Sequence, residues 1–275
     1  MAASVLAVAG PAAAEDGEGF GSSIFPLFGD RFRAAGHDLP RPFGLGGVLQ
    51  LNGRDFAVDD VQLEFANGST LNVDDVITVD TVAATDNRMF GFVADVWILP
   101  FFNVYFVAGD GRSESDVDIE VDIDLPFIPN ALVTADVDVD GRVLGGGGIL
   151  AGQYRDFFYS VGVNYISTSS DSIDGDYEYY TITPRVGYRI LQRPNLGARA
   201  WIGATYFDAE KNVSGLIDLP IVEPVRYSFE LKPLTNWEAS IGASLLIADH
   251  WQSILELSSD FEDATSLTLN VGYRL

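Results

Sequence analysis

RMFGFVADVWILPFFNVYFVAGDGR, residues 88–112, reads as two strands joined by a very tight turn. Successive side chains of a strand point to opposite faces. Phe90, Phe92, Ala94, Val96 and Ile98 therefore share one face, and Met89, Gly91, Val93, Asp95 and Trp97 share the other. Leu99-Pro100-Phe101 breaks the run, because proline cannot donate to a central ladder. The second half repeats the pattern, with Phe102, Val104, Phe106 and Ala108 on one face and Asn103 on the other. One face is wholly apolar. The other is mixed, small and polar. A soluble hairpin could bury such an apolar face in a core, but the rest of the chain repeats the unit.

Working outward, FGLGGVLQLN (43–52) places Phe43, Leu45, Leu49 and Leu51 opposite Gly44, Gly46, Gln50 and Asn52. Further strands are expected at 142–152, 158–168, 177–190, 196–208, 236–247, 251–260 and 265–275, which brings the total to ten. The connections at 99–101, 153–157, 191–195 and 248–250 are short, whereas 53–87, 113–141, 169–176 and 209–235 are long and polar, and the remaining one, 261–264, is short. Short turns alternating with long loops, an even strand count and strands of about ten residues make the pattern of a transmembrane barrel. The fold expected is an all-β, antiparallel up-and-down transmembrane β-barrel over 43–275. Its short turns would face the periplasm and its long loops the exterior. Closure follows from the bilayer, since an open edge in hydrocarbon leaves backbone groups unpaired at several kcal/mol each.

Composition narrows the class. The 275 residues are 47% hydrophobic and 12% aromatic, enough to bury a large surface. Beyond the first few positions, no apolar run reaches the roughly 18 residues of a transmembrane helix. Cysteine is absent, which removes disulfides and thiolate metal sites. A net charge of −24 argues against nucleic acid as a partner. Residues 1–14 (MAASVLAVAGPAAA) read as the end of a secretion signal with an A-x-A site at Ala12-Ala13-Ala14. Residues 15–42, rich in Gly, Pro and Phe, read as a periplasmic lead-in or partial plug, with a helical turn or two near Asp30 to Ala35.

The terminal strand SLTLNVGYRL (266–275) alternates Leu267, Leu269, Val271, Tyr273 and Leu275 against Thr268, Asn270, Gly272 and Arg274. It resembles the last strand of Gram-negative outer-membrane barrels, although those usually end in Phe or Trp rather than Leu. The resemblance implies location in the bacterial outer membrane and contact with its lipid and lipopolysaccharide. It also implies recognition of 265–275 by the outer-membrane assembly machinery. Tyr159, Tyr165, Tyr180, Tyr188, Tyr206, Trp237, Trp251 and Tyr273 fall mostly near strand ends on the apolar face, where interfacial girdles form.

On this phase the inward face carries Asp95, Asn103, Arg185, Arg189, Arg199, Glu238, Glu256, Asn270 and Arg274. Such groups can pair into a plug or line a narrow polar path. If they form a plug, Arg185→Ala with Glu256→Ala should open a leak. Inward glycines, among them Gly145, Gly147, Gly187, Gly203 and Gly242, would leave room. Enzymatic activity is not expected. Hydrolytic barrels usually need a histidine base, and the two histidines, His37 and His250, fall in the lead-in and in a periplasmic turn. The stretch 113–126 alternates Asp116, Asp118, Glu120, Asp122 and Asp124 with Val, Ile and Leu, and 133–142 repeats this with Asp136, Asp138 and Asp140. A hairpin that extends the wall beyond the membrane is expected there. Its carboxylates suit Ca²⁺, which accepts oxygen ligands in flexible geometry. The expected role is a small channel or structural membrane component. Two alternatives are a surface protein whose acidic loops bind cations, lipopolysaccharide or a partner, and a soluble lipocalin-like binder.

Overall fold

The computed structural model describes residues 24–34, 39–64, 70–72, 82–121, 131–170, 176–217 and 225–275. The expected signal remnant, residues 1–14, lies outside them, as do 15–23 and 35–38 of the lead-in. A short helix, α1 (Gly29–Ala34), precedes β1 (Phe43–Glu64), β2 (Thr70–Asn72), β3 (Val82–Leu99), β4 (Phe102–Val121), β5 (Ala131–Tyr154) and β6 (Phe157–Ser169). There follow β7 (Asp176–Arg193), β8 (Leu196–Ile217), β9 (Val225–Pro233), β10 (Trp237–Ile247), β11 (Trp251–Ser259) and β12 (Ala264–Arg274).

Ten of these strands make a closed antiparallel barrel. Each pairs with its neighbour in the ring. The seam between the chain's ends is β12 on β1, with Leu269 opposite Leu49. The pairing of β10 with β8, with Ile241 opposite Ile202, completes the circle. Alternation decides which face meets which solvent. Phe92, Leu150, Ile202, Ile241 and Leu255 are exposed on the outer surface, whereas Val48, Met89, Val107, Val143 and Ile166 are buried inside. Outward aromatics cluster at both ends of the apolar band. Phe157 with Tyr188 and Trp251 with Tyr273 lie at the turn end, and Tyr206 with Trp237 at the loop end.

The strands run further than hydropathy suggests. A membrane needs only about 9–11 residues per strand, yet β4 has 20 and β5 has 24. Most of what reads as the loops 53–87 and 209–235 is ladder, and β4 and β5 pair on through the stretch 113–141 where a wall-extending hairpin is expected. The reason is solvent: beyond the bilayer the outer face meets water, so apolar outward residues cease while backbone pairing continues. Here β9 enters. Up to Arg54, β1 pairs with β12, and from Phe56 onward it pairs with β9. Likewise β8 pairs with β10 up to Tyr206 and with β9 from Lys211. Three strands of the membrane wall thus give way to a single strand above it.

At the turn end, the Leu27 N–H donates to Ile98 O at 2.8 Å and the Trp97 N–H to Pro42 O at 2.8 Å. The described part of the lead-in is thereby held against the rim beside β1 and β3. The β10–β11 turn places Ala248 and Asp249 at φ of 50° and 57°, and the His250 N–H closes it on Ile247 O at 3.2 Å. Positive φ at both central residues is the type I′ geometry that suits the twist of a hairpin.

Candidate functional site: the barrel interior

The interior has two unlike sides. Met89, Val93 and Trp97 of β3, Tyr105 and Val107 of β4, Val143 and Ile149 of β5, and Ile166 of β6 form a buried apolar cluster. The strands on the other side of the ring, with β1, supply most of the buried polar groups. An interior fully polar around its circumference, as in open pores, is not what these residues build.

Charge is held in ion pairs at successive levels. Nearest the turn end, Arg274 Nη2 lies 2.8 Å from Asp95 Oδ1, which also accepts from Asn103 Nδ2 at 2.8 Å. Arg274 reaches Gln252 Oε1 at 3.3 Å as well, and its Nε donates to Arg41 O at 3.1 Å. In the middle, Arg185 grips Glu256 with two bonds of 2.7 Å, while Trp201 Nε1 donates to Glu256 Oε2 at 2.6 Å. Toward the loop end, Arg54 pairs with Glu238. Its guanidinium lies 4.2 Å from the centre of the Phe207 ring and its Nη1 donates to Thr235 O at 2.8 Å. Bidentate arginine–carboxylate pairs add geometric specificity to charge. Breaking a buried pair by removing one partner costs about 3–5 kcal/mol.

The sequence-expected interior residues therefore have definite places. Asp95, Asn103 and Arg274 meet at the turn end. Arg185 and Glu256 meet in the middle. Glu238 is joined by Arg54. Asn270 is buried on the inner face of β12, lining a small cavity with Gly44, Gln252 and Arg274. Arg199 stacks 5.4 Å from the Phe158 ring, and Arg189, opposite it on β7, bonds Gln192. Sequence reasoning missed Arg54, Trp201 and Tyr105. Arg54 continues the parity of Gln50 and Asn52, and Trp201 shares that of Arg199. The signal was present in both cases, and Arg54 was lost by ending the strand at Asn52.

The glycines correct a second expectation. They are not spare volume but crossing points. Gly242 lies between Trp201 on β8 and Glu256 on β11 in the ladder. A Cβ there would stand 2.3 Å from the indole, which passes over it to reach the carboxylate. Gly44 lies in the same way between Asp95 and Arg274, and Gly203 between Arg185 and Ser240. Phe158 covers Gly187 and Tyr105 covers Gly147. Each large side chain lies flat across a neighbouring strand that has no Cβ in its way.

An exterior of exposed Phe, Leu and Ile around an interior of buried ion pairs inverts a water-soluble protein and fits a lipid solvent. The chain is an outer-membrane β-barrel. No family model matches it, and no curated protein does. Among solved structures it is similar to the outer membrane protein OprG from Pseudomonas aeruginosa, at 12% identity and a TM-score of 0.41, over 86% of this chain and 98% of that one. It is similar to the β domain of the Bordetella autotransporter Brka at 10% identity and a TM-score of 0.43, over 84% and 100%. A third is the Pseudomonas putida toluene transporter TodX, at 10% and 0.34, over 85% and 88%.

The acidic hairpin of this barrel is described through its backbone, and Asp122 and Asp124 lie outside the described residues. The register sets Asp116 opposite Asp136 and Glu114 opposite Asp138, but Asp140 opposite Arg112, Asp118 opposite Thr134 and Glu120 opposite Leu132. Two acid-on-acid rungs result. Among the residues whose side chains are described, no three metal-ligating groups converge. Of the histidines, His37 lies outside the described residues, and His250 stacks 5.1 Å from Tyr273 with Nδ1 2.5 Å from Ala248 O.

Proposed function

We propose that this is a non-enzymatic outer-membrane component whose lumen is shut, acting through the acidic wall that it raises above the membrane. The observation that carries this reading is the stack of Asp95–Arg274, Arg185–Glu256 and Arg54–Glu238, each joining strands two or three places apart around the ring. Each pair is a chord across the lumen, and aromatic side chains laid over glycine fill the spaces between. The lengths of β4 and β5 supply the second half of the reading, since about half of each stands beyond what a bilayer requires.

Orientation follows from assembly: the short turns stay periplasmic and the long strands project outward. Lipopolysaccharide and divalent cations are then the partners that the outward wall meets first. A small gated channel is the second reading, favoured by the run of polar side chains down one side of the interior. Planar-bilayer recording on refolded protein tests both. The expected result is no stable conductance in the wild type. The leak expected of a single plug changes with three levels of pairs: Arg185→Ala with Glu256→Ala should not open one by itself, because the pairs above and below remain. A leak from that variant alone supports the channel, and a wide, steady wild-type conductance refutes the closed lumen.

A further inference from the structure

At the turn end of the ring, neighbouring strands bring a row of donors to one level. The ladder sets Arg189 of β7 opposite Arg199 of β8, and Arg199 opposite Ser244 of β10. Gln252 of β11 lies one inward step nearer the turns, opposite Leu246. These side chains line a cavity of about 30 Å³ together with Gln192. Arg199, Ser244 and Gln252 are buried, whereas Gln192 is exposed. The cavity is therefore walled by the barrel and reached from the turn end.

Two guanidinium groups share one rung here. Like charges directly opposite each other destabilise a ladder. Elsewhere in the lumen, Arg54, Arg185 and Arg274 each meet a carboxylate. In this cavity no Asp or Glu is among the lining residues. Local structure nevertheless keeps both arginines in place. The Phe158 ring lies 5.4 Å from the Arg199 guanidinium. On the other strand, β7 shifts register between Arg189 and Leu191. Such a bulge re-aims a side chain. The Arg189 N–H is anchored on Asp156 O at 2.9 Å, and its guanidinium donates to Gln192 Oε1. Each of these contacts orients a charge without cancelling it.

We infer that this cavity is a phosphate site, in which one terminal phosphate group sits between Arg189 and Arg199 with Ser244 and Gln252 as further donors. A guanidinium can only donate hydrogen bonds, and a phosphate offers acceptors in the geometry that arginine forks match. A terminal phosphate carries about −1.5 to −2 charges at pH 7. That balances two arginines, where a carboxylate or a phosphodiester balances one. Size agrees with this occupant. A water needs about 10–15 Å³, so the cavity takes a small group and not a whole molecule, and the rest of a phosphomonoester would extend into the mouth. The phosphate comes from solution and not from lipid, because the four donors lie on the inner face of the wall. None of this depends on the lumen being shut.

Isothermal titration calorimetry of the refolded barrel in a maltoside detergent tests the site, with inorganic phosphate titrated at an ionic strength held constant by sodium chloride. The expected result is a single saturable phosphate site per barrel and no such heat with chloride alone. Arg189→Gln and Arg199→Gln should each weaken binding by about tenfold or more, the size of one lost charge-assisted hydrogen bond. A wild type that binds no phosphate saturably, or binding that both variants retain, overturns the inference. If Arg199→Gln does not fold, Arg189→Gln, at the less buried of the two positions, decides alone. In phosphatidylcholine nanodiscs, added phosphatidic acid should leave the affinity for inorganic phosphate unchanged. Competition by that lipid would overturn the soluble occupant and give the site to a headgroup.

Discussion

Gly242→Ala should damage this barrel far more than a methyl group on an ordinary strand would. The new Cβ would lie 2.3 Å from Cε2 and Cζ2 of Trp201 and 2.6 Å from its Nε1. The indole is buried at 2% exposure and cannot swing outward. It must lift toward the lumen, and so it gives up the 2.6 Å bond to Glu256. A hydrogen bond to a charged group contributes about 1.5–3 kcal/mol, and overpacking adds about 1–3 kcal/mol. Replacing glycine within a strand returns roughly 0.5–1 kcal/mol. The net loss is therefore about 1.5–5.5 kcal/mol. Gly197→Ala is the control. It lies on β8, and its Cβ would meet only Leu246 Cβ at 3.7 Å. It should be neutral or stabilising by up to about 1 kcal/mol. Urea titration in lipid vesicles, read by heat-modifiable gel migration, gives both midpoints. If Gly242→Ala unfolds within about 0.5 kcal/mol of wild type, the indole is not pinned across the strand and the crossing-point account fails.

Leu269→Arg places a guanidinium on the lipid face and should cost about 2–4 kcal/mol, while Thr268→Val, on the buried inner face, should fold with near-normal yield. Equal refolding losses would contradict the face assignment. Ala248→Gly should stabilise the β10–β11 turn by about 0.5–1 kcal/mol, because alanine at φ 50° bears a left-handed strain that glycine lacks. An unchanged urea midpoint would count against that strain. Burial raises the Asp260 carboxyl pKa, but hydrogen bonds from backbone N–H groups of the β11–β12 loop outweigh it and the value is lowered. A lowered acid stabilises above its unfolded value of about 3.9 and loses that contribution as pH falls through the folded value. Amide exchange at Glu262 to Ala264 should accordingly speed up in acid beyond its intrinsic trend, and Asp260→Asn should remove that step. Identical profiles for the two proteins would show that Asp260 does not hold the loop.

Much of the membrane-embedded part was legible from alternation, because there each strand has lipid outside and a core inside, and a period of two records both. Phe90, Phe92, Leu49 and Leu269 announce their face without help. The strands above the membrane were harder to read. Nothing apolar is required outward there, so 209–235 read as loop although β8 and β9 run through much of it. The meaning of the glycines was illegible for another reason. Gly242 makes sense only once Trp201 and Glu256 are known to flank it, and register between strands distant in sequence is not written in either strand alone. The three ion pairs share this difficulty. Parity showed that Arg185 and Glu256 both point inward, but the closure of β8 on β10 is what brings them within reach of each other.

The acidic hairpin shows how the same parity serves two solvents. Within the bilayer, even-numbered positions of β4 carry the outward side chains, with Phe106 exposed, while Asn103, Tyr105 and Val107 are buried inside. Carried upward along the strand, the outward parity reaches Asp110, Arg112 and Glu114, all exposed. On β5 the exposed Leu144 and Leu150 share the parity of the exposed Asp140, opposite the buried Val143. Charged side chains thus replace the lipid-facing apolar row where lipid ends. Neither strand changes phase between its two environments. The rungs Asp116–Asp136 and Glu114–Asp138 follow from that constancy. Keeping one register through both solvents sets like charges opposite each other, at a cost of the order of 1 kcal/mol per rung. Shifting the register by one residue to separate them would turn the lipid-facing leucines of the same strands into the lumen, which costs far more.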